Sequence, residues 1–476
     1  MSLKQQSIAG FKWSAIENVA VRGVQFLLGL VLARLLDPSD FGVVGLLTIF
    51  ITISQTFTEG GVSNALIRKT DKSDADYSTA FYFNVAVGAV CYVILFVISP
   101  WVARFFDAGI LSPLLKVLGL SVFFNSLFVV PVAKLTSEMD FKWQTIAALI
   151  AVVVSGGTGV VLAYLGYGVW ALVWQTVIMA FVKGVILLVY SKWMPLLVFS
   201  RTSFKYLLSF GSKLVASNLL FTIYSQITTI LIGKFYSTSD LGYYTRGRQF
   251  AGLPVDVFTG VLGKVTFPVL SRLQDNDVEL IRVYRKFIRL TSLVCVFGLI
   301  LLASVAKPLV IVLLTEKWTE CVIYLQLFCI ALLLDHITRL NLNLLQVKGR
   351  SDLYLRLEII KRIVSIAMML AALPFGIIYL CLSLIVYSVF AFFVNTYYTG
   401  KLFNLSCWVQ LKDMAKYLLA SVVACAPSLA LNWLPVGNSL VQLLAGVGIS
   451  VAIYWFMMRK DEQMGELIGM VKNALR

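Results

Sequence analysis

The sequence predicts an all-α integral membrane protein of about 14 transmembrane helices, built as two repeated halves. Of its 476 residues, 59% are hydrophobic and only 13% are charged. A soluble domain of this size cannot bury so much apolar surface, so lipid must surround most of the chain. The apolar residues also occur in runs of roughly 20, the length that crosses a hydrocarbon core of about 30 Å.

The two halves are indicated by a segment that recurs at an offset of 200 residues. Residues 34–42 read RLLDPSDFG, and residues 234–242 read KFYSTSDLG. At the same offset Asn18 matches Asn218. Two halves of like orientation, related by a pseudo-two-fold axis along the membrane normal, are typical of a membrane carrier with its site between the halves.

The spans follow from the apolar runs and the turn residues between them. They are predicted at 12–34, 41–66, 77–101, 111–135, 143–164, 168–190, 207–232, 246–270, 289–313, 321–346, 355–373, 376–400, 413–432 and 438–458. The eleventh is the weakest, because Arg356, Glu358, Lys361 and Arg362 lie in its first half. We expect it to begin at the headgroup level, with its long side chains extending toward water.

Basic residues predict the orientation of the spans. The net charge is +16, and most lysines and arginines lie in one set of loops, including 68–72, 192–205 and 272–289. Because cytoplasmic loops are enriched in lysine and arginine, both termini are expected in the cytoplasm. Two amphipathic segments on that side, 278–289 and 463–475, are expected to lie along the inner headgroups.

Polar residues form stripes in two spans of matching register. The first span carries Ser14, Asn18, Arg22, Gln25 and Gly29, and the seventh carries Asn218, Thr222, Ser225 and Thr229. Spacings of three and four residues place each set on one helical face. Such a face is unfavourable against lipid, so it is expected to line a hydrated cavity or to pack against protein.

Arg22 lies about 10 residues into its span, close to the midplane at a rise of about 1.5 Å per residue. An arginine there costs roughly 2.5–3.5 kcal/mol on insertion scales. Two interpretations stay open. Arg22 either faces the cavity and contacts an anion, or forms a buried pair with Glu17 between helices.

Further charged residues lie in other spans. In the tenth span Asp335 and Arg339 are one turn apart and can pair, while the neighbouring His336 either carries a proton or is a hydrogen-bonded packing residue. Lys183, Lys213, Asp256 and Lys264 are additional candidates, and Lys213 and Lys264 can alternatively extend to the headgroups. In the second span Glu59 and Asn64 flank Gly60 and Gly61, which allow a close helix approach or a local break.

These residues give the predicted site. The substrate-binding candidates are Arg22, Asn18, Gln25, Lys213, Asn218, Lys264 and Arg339, and the ion-coupling candidates are Glu17, Glu59, Asp335 and His336. Cations outnumber acids within the spans, and arginine can hold phosphate through two parallel hydrogen bonds. A substrate that carries phosphate is therefore expected.

Several function classes lack support. The sequence has no Gly-x4-Gly-Lys-Ser/Thr loop for ATP, no CxxC pair and one histidine, so no catalytic residue, metal site or cofactor is predicted. The rivals are a drug/cation antiporter, a flippase for the peptidoglycan precursor and a glycan-joining membrane enzyme. The antiporter would need an unpaired acid in the cavity, and the enzyme would need a large outer loop.

Several motifs together resemble a known family. They are GFKWSA at 10–15, ARLLDPSDFG at 33–42, GGVSNALIR at 60–68, LGYY at 241–244, FPVLSRLQ at 267–274 and EKW at 316–318. They resemble the polysaccharide transporter (Wzx-type, colanic-acid-exporter-like) branch of the MOP flippase superfamily. Similar flippases carry arginines in the first and eighth helices that meet a diphosphate. Arg22 matches the first, whereas Lys264 stands in the eighth helix.

The resemblance implies two six-helix lobes around a V-shaped cavity, at 1–195 and 196–405. It implies two further helices outside them, at 406–460, before a cytoplasmic tail at 461–476. It also implies movement of undecaprenyl-diphosphate-linked oligosaccharide across a bacterial inner membrane. A proton or sodium gradient or the membrane potential would drive it. Expected partners are membrane lipids, a glycan polymerase and glycosyltransferases, without nucleic acid, and the protein is expected to be a monomer.

Overall fold

The computed structural model describes Trp13 and residues 17–59, 61–69, 71–432 and 438–475, with the backbone alone at 18–19, 256–265, 470–471 and 473–475. All regular secondary structure in these residues is helical. The chain divides into two compact units, Met1–Gly242 and Tyr243–Arg476. The predicted all-α membrane fold is confirmed, and the chain is a multi-pass membrane protein.

The first unit contains nine α-helices after a π-helical segment at Glu17–Val21, counted over the described residues. They are α1 (Arg22–Leu35), α2 (Pro38–Glu59), α3 (Val62–Arg68), α4 (Asp74–Phe105), α5 (Leu111–Leu118), α6 (Leu120–Ser137), α7 (Phe141–Tyr164), α8 (Val169–Ser191) and α9 (Arg201–Phe235). Helices α7 and α8 form an extensive hairpin, and α6 packs against both α4 and α8.

The second unit holds the remaining helices, of which the first begins five residues before the division. They are α10 (Thr238–Arg272), α11 (Asp277–Ser304), α12 (Ala306–Leu314), α13 (Cys321–Ala331), α14 (Asp335–Val347), α15 (Ser351–Ala372), α16 (Ile377–Phe403), α17 (Cys407–Leu431), α18 (Ser439–Met458) and α19 (Glu462–Leu475). Within it α17 packs against α11 and α18, and α14 packs against α16.

Helix α9 follows the predicted boundary at 195–196 but packs against α2, α3 and α4, so it belongs to the first unit. The segment before it is bonded to the start of α4. The Leu196 amide donates to Ser78 Oγ at 2.9 Å, and the Ser200 amide donates to Thr79 Oγ1 at 2.9 Å. The buried Asp76 carboxylate accepts a 2.6 Å bond from Ser203 Oγ. The start of α4 therefore fixes the start of α9, while the predicted lobe boundaries stay predictions.

Eleven helices among the described residues are long and apolar enough to span a membrane. The predicted first, eighth and eleventh spans are not among them, so the count of 14 stays a prediction. The eleventh corresponds to α15, where the Glu358 carboxylate accepts bonds from Lys361 at 2.5 Å and Arg362 at 3.4 Å. The expectation that these side chains extend to water is wrong for Lys361, whose side chain is 6% exposed.

The predicted interfacial segment 278–289 is instead the first part of α11. Its apolar residues Leu280, Tyr284 and Ile288 are fully buried in the core of the second unit. The expectation that this segment lies along the headgroups is therefore wrong. Its apolar face meets α14 and α17 because the helix continues without a break into the span.

The tail helix α19 also packs on protein. Met464 is buried against Leu293, Tyr454 and Met458, and Leu467 and Ile468 contact the same cluster. Ion pairs of 2.6 Å join Lys286 to Glu466 and Lys416 to Asp461 at its start. The described part of the 463–475 segment therefore covers the bundle end, which corrects the predicted placement along the headgroups.

Candidate functional site

A cavity of about 300 Å³ lies inside the first unit. The end of α2, together with α3, α6 and α8, encloses it. Its polar lining consists of Glu59, Ser63, Asn64, Asn125 and Lys183, and the rest of the lining is small or apolar. Candidate residues from separate parts of the sequence therefore meet in one place.

The break between α2 and α3 positions one wall of this cavity. Helix α2 ends at Glu59 and α3 begins at Val62. A β-carbon added to Gly61 would lie 2.7 Å from the Cα of Gly211 in α9. The sequence left a helix break and a close approach open as alternatives for this glycine pair. Gly61 takes part in both, and Gly60 lies outside the described residues.

The polar side chains of the cavity are not bonded to any other residue that the structure describes. Within the described chain, none of Glu59, Ser63, Asn64, Asn125 and Lys183 makes a hydrogen bond or an ion pair. Glu59 is exposed and Lys183 is half-buried. A carboxylate and an ammonium group therefore share this cavity without closing on each other, and both can meet a ligand or water.

Both predicted polar stripes reach helices of the cavity. On α1, Gln25 Nε2 lies 3.7 Å from Met179 Sδ, and Met179 precedes the lining residue Ala180 on α8. On α9, Thr222 Oγ1 lies 3.2 Å from Oγ1 of Thr56, which is in the last turn of α2. The first and seventh spans thus each contact a helix that lines the cavity.

Arg22 is the first residue of α1, and its side chain is exposed. It forms no ion pair with Glu17 or with any other residue that the structure describes. On α9, Lys213 and Asn218 are exposed as well. The side chains of Arg22, Lys213 and Asn218 are therefore open to their surroundings, as is required if they face the substrate cavity that the sequence predicts.

In the second unit, Asp335 and Arg339 form the predicted pair at 2.6 Å. His336 is buried, and its Nε2 lies 2.9 Å from Ser292 Oγ. This hydrogen bond fits the packing histidine that the sequence left open, and the alternative role of His336 in carrying a proton stays a prediction. The side chains of Asn18, Asp256 and Lys264 lie outside the described residues.

The sequence interpretation did not select Ser63 or Asn125. Asn125 is a single amide within an apolar run between Phe124 and Phe128, and a polar residue in such a run is itself a signal. It was missed because it belongs to no stripe. Asn341 was missed for the same reason, although its buried Oδ1 accepts bonds from Tyr284 at 2.7 Å and Thr399 at 3.0 Å.

Comparison with known proteins places this chain in a family. A family described as "Polysaccharide biosynthesis protein" matches residues 31–323, more than half of the chain. The chain belongs to this family. The predicted membership of a polysaccharide transporter branch is thereby confirmed.

Named relatives of this polysaccharide biosynthesis protein come from several bacteria. It is 26% identical to the lipopolysaccharide biosynthesis protein WzxC of Escherichia coli (strain K12), over 76% of this chain and 74% of that protein. It is 25% identical to the teichuronic acid biosynthesis protein TuaB of Bacillus subtilis (strain 168), over 74% and 73%. It is 24% identical to the succinoglycan biosynthesis transport protein ExoT of Rhizobium meliloti, over 64% and 62%.

Solved structures share the fold of this family member. The lipid II flippase MurJ in an inward closed conformation matches with a TM-score of 0.73 at 15% identity, over 94% of this chain and 98% of that chain. An inward-facing multidrug resistance MATE family transporter of the MOP superfamily matches with a TM-score of 0.60 at 17% identity, over 79% and 95%. The chain therefore shares the fold of these two structures.

Proposed function

We propose that the protein is a flippase for undecaprenyl-diphosphate-linked oligosaccharide. It moves the repeat unit from the cytoplasmic to the periplasmic leaflet of a bacterial inner membrane by alternating access. The observation that carries this proposal is the set of exposed polar and basic side chains on α1 and α9, in a protein of the polysaccharide biosynthesis family. The names of WzxC, TuaB and ExoT support a glycan as the cargo.

The chemistry of the cargo explains why such a protein is needed. A diphosphate cannot cross hydrocarbon unpaired, because an isolated buried charge costs tens of kcal/mol on Born estimates. Arg22 and Lys213 are basic and exposed, so they can replace the water of the phosphates by charge-assisted hydrogen bonds. The polyprenyl tail is apolar, so it stays in lipid.

Topology, oligomeric state, partners and the energy source belong to the same proposal. Both termini are placed in the cytoplasm, and the protein works as a monomer beside a glycan polymerase and glycosyltransferases. No covalent step and no cofactor is involved. A proton or sodium gradient or the membrane potential supplies the energy, with Glu17, Glu59, Asp335 and His336 as coupling candidates.

The drug/cation antiporter is the second candidate, since Glu59 is an acid without an ion pair in the described chain. Lys183 lines the same cavity, however, and its positive charge opposes a cationic drug. The observation therefore favours the glycan carrier.

Deletion of the gene tests the proposal. We expect lipid-linked oligosaccharide to accumulate facing the cytoplasm and surface polysaccharide to be lost, with recovery when the gene is supplied on a plasmid. Drug susceptibility, measured on the same strains, distinguishes the flippase from the antiporter. Unchanged glycan export together with a rise in drug susceptibility would replace the flippase by the antiporter.

A further inference from the structure

The cavity of the first unit differs in charge from the exposed basic side chains of Arg22 on α1 and Lys213 on α9. Its lining holds one carboxylate, Glu59, and one ammonium group, Lys183, together with the amides of Asn64 and Asn125 and the hydroxyl of Ser63. The formal charges cancel. A phosphate would meet Glu59 at short range there, so the cavity suits an uncharged ligand better than the diphosphate.

The hydrogen-bonding inventory of these side chains selects a kind of uncharged ligand. A carboxylate only accepts and an ammonium group only donates, whereas amides and hydroxyls do both. A sugar hydroxyl also donates and accepts, so a ring with several hydroxyls can satisfy Glu59 and Lys183 at once. No protein group competes for them, because none of the five polar side chains is bonded to another described residue.

Polar residues buried between α4 and α6, outside the cavity lining, contrast with these side chains. Asn84 Nδ2 donates to the Ser126 carbonyl at 3.0 Å, and Ser126 Oγ donates to the Phe123 carbonyl at 2.7 Å. Asn84 Oδ1 itself has no partner among the described residues, so an unpartnered polar atom is not peculiar to the cavity. The polar side chains of the cavity differ in being exposed or half-buried, which leaves them open to a molecule that enters it.

Size and shape agree with a single ring. The cavity of about 300 Å³ lies at the lower end of the range of about 300–1,000 Å³ for small-molecule sites. One wall is the ring of Phe128, held against Gly184, where an added β-carbon would lie 1.6 Å from a ring carbon. A wall of this kind fits the apolar C–H face of a sugar, while its hydroxyls point to the polar side chains.

We propose that this cavity is a subsite for an uncharged, hydroxyl-rich sugar ring of the cargo. The inference rests on the proposed function and deepens it, because it separates sugar recognition from phosphate recognition. Glu59 accepts hydroxyl hydrogen bonds, Lys183 donates them, and Asn64 and Asn125 set the orientation. The diphosphate stays outside, with Arg22 of α1 and Lys213 of α9.

Binding to the full-length protein in nanodiscs tests the subsite with two probes. One is undecaprenyl diphosphate, and the other is the lipid-linked oligosaccharide pool extracted from cells that lack the gene. Asn125→Ala and Lys183→Met are expected to weaken binding of the glycan lipid about tenfold and to leave binding of undecaprenyl diphosphate unchanged. Lys205→Met, which removes an exposed lysine of α9 outside the cavity, is the matched control.

A filling variant gives the same test without removing a charge. Ala180→Leu narrows the cavity and should exclude the glycan lipid while undecaprenyl diphosphate still binds. Unchanged binding of the glycan lipid to all three variants would overturn the subsite. Equal loss of both probes from Lys183→Met would overturn it in favour of a phosphate site. Binding of neither probe to the unmodified protein would overturn the proposed function itself.

Discussion

Gly42 and Gly242, the glycines that close the two copies of the repeated segment, pack against each other's copy. A β-carbon on Gly42 would lie 1.7 Å from the carbonyl oxygen of Thr238, and one on Gly242 would lie 1.9 Å from that of Pro38. Pro38 and Thr238 are the first residues of α2 and α10 and occupy equivalent repeat positions. Both copies lie in the first unit, and each glycine permits backbone contact at the start of the other helix.

Gly42→Ala and Gly242→Ala are therefore expected to destabilise the protein. The added methyl group meets backbone atoms that cannot rotate away, and overpacking typically costs about 1–3 kcal/mol or more. Thermal unfolding of the purified protein measures the effect. Gly157→Ala is the control, because nothing lies within 4 Å of its added β-carbon. Equal thermal unfolding midpoints for all three variants would show that the contact between the two copies of the repeated segment is not tight.

The ion cluster of the second unit gives a second prediction. The buried Asp413 carboxylate accepts bonds from Arg285 at 2.7 Å and Arg289 at 2.8 Å. Asp413→Asn should destabilise the protein by about 1–3 kcal/mol. This is less than the roughly 3–5 kcal/mol of a fully buried pair, because both arginines are more than a third exposed.

The matched control for Asp413 is the exposed pair Glu279–Arg282 on the same helix α11, at 3.4 Å. Glu279→Gln should change the unfolding midpoint little, since surface pairs contribute about 0–1 kcal/mol. Raising the salt concentration should leave the difference between the two variants largely intact. A midpoint for Asp413→Asn equal to that of the control would contradict a structural role for the cluster.

A third prediction concerns Asn341, which is fully buried where α11, α14, α16 and α17 meet. Besides Tyr284 and Thr399, it bonds Gln410, which accepts from its Nδ2 at 2.9 Å. Asn341→Leu leaves the Tyr284 hydroxyl and Gln410 Oε1 without their partners, whereas Thr399 still bonds the Thr396 carbonyl. Each unsatisfied buried group costs about 1–3 kcal/mol. Strong loss of thermal stability is expected.

Ser383→Ala on α16 is the control for Asn341, because Ser383 Oγ bonds the Leu380 carbonyl of its own helix. If Asn341→Leu and Ser383→Ala unfold at the same temperature, the network does not hold the four helices together.

Local periodicity predicted those parts of the fold and site that depend on a single helix. Runs of about 20 apolar residues predicted eleven spans that are long apolar helices in the described part of the chain, and the four-residue spacing of Asp335 and Arg339 predicted an ion pair that the structure contains. The glycine pair 60–61 left a close approach and a break open, and Gly61 shows both. The ion pair and the break each lie within a few residues, where sequence spacing fixes geometry.

Tertiary contacts were not predictable in this way. The cavity draws Glu59, Asn125 and Lys183 from three distant stretches, and no spacing rule connects them. Amphipathicity likewise shows that a face is apolar but not what covers it. This is why 278–289 and the tail helix α19, both expected on headgroups, instead cover the core of the second unit.

Arg22 carries the last prediction. Its side chain is exposed at the first residue of α1 and pairs with no described residue, so its removal should not unfold the protein. We expect Arg22→Ala to reduce surface polysaccharide at least tenfold, with lipid-linked oligosaccharide accumulating. The amount of protein in the membrane and its unfolding midpoint should stay unchanged. The loss reflects a missing bidentate phosphate contact.

Two further variants separate charge from geometry at Arg22. Arg22→Lys keeps the charge but not the planar pair of donors, so its export should lie between those of the unmodified protein and Arg22→Ala. Arg201→Ala removes an exposed arginine at the start of α9 and should export normally. If Arg22→Ala exports as well as Arg201→Ala at equal expression, Arg22 does not bind the cargo and the phosphate contact must lie elsewhere.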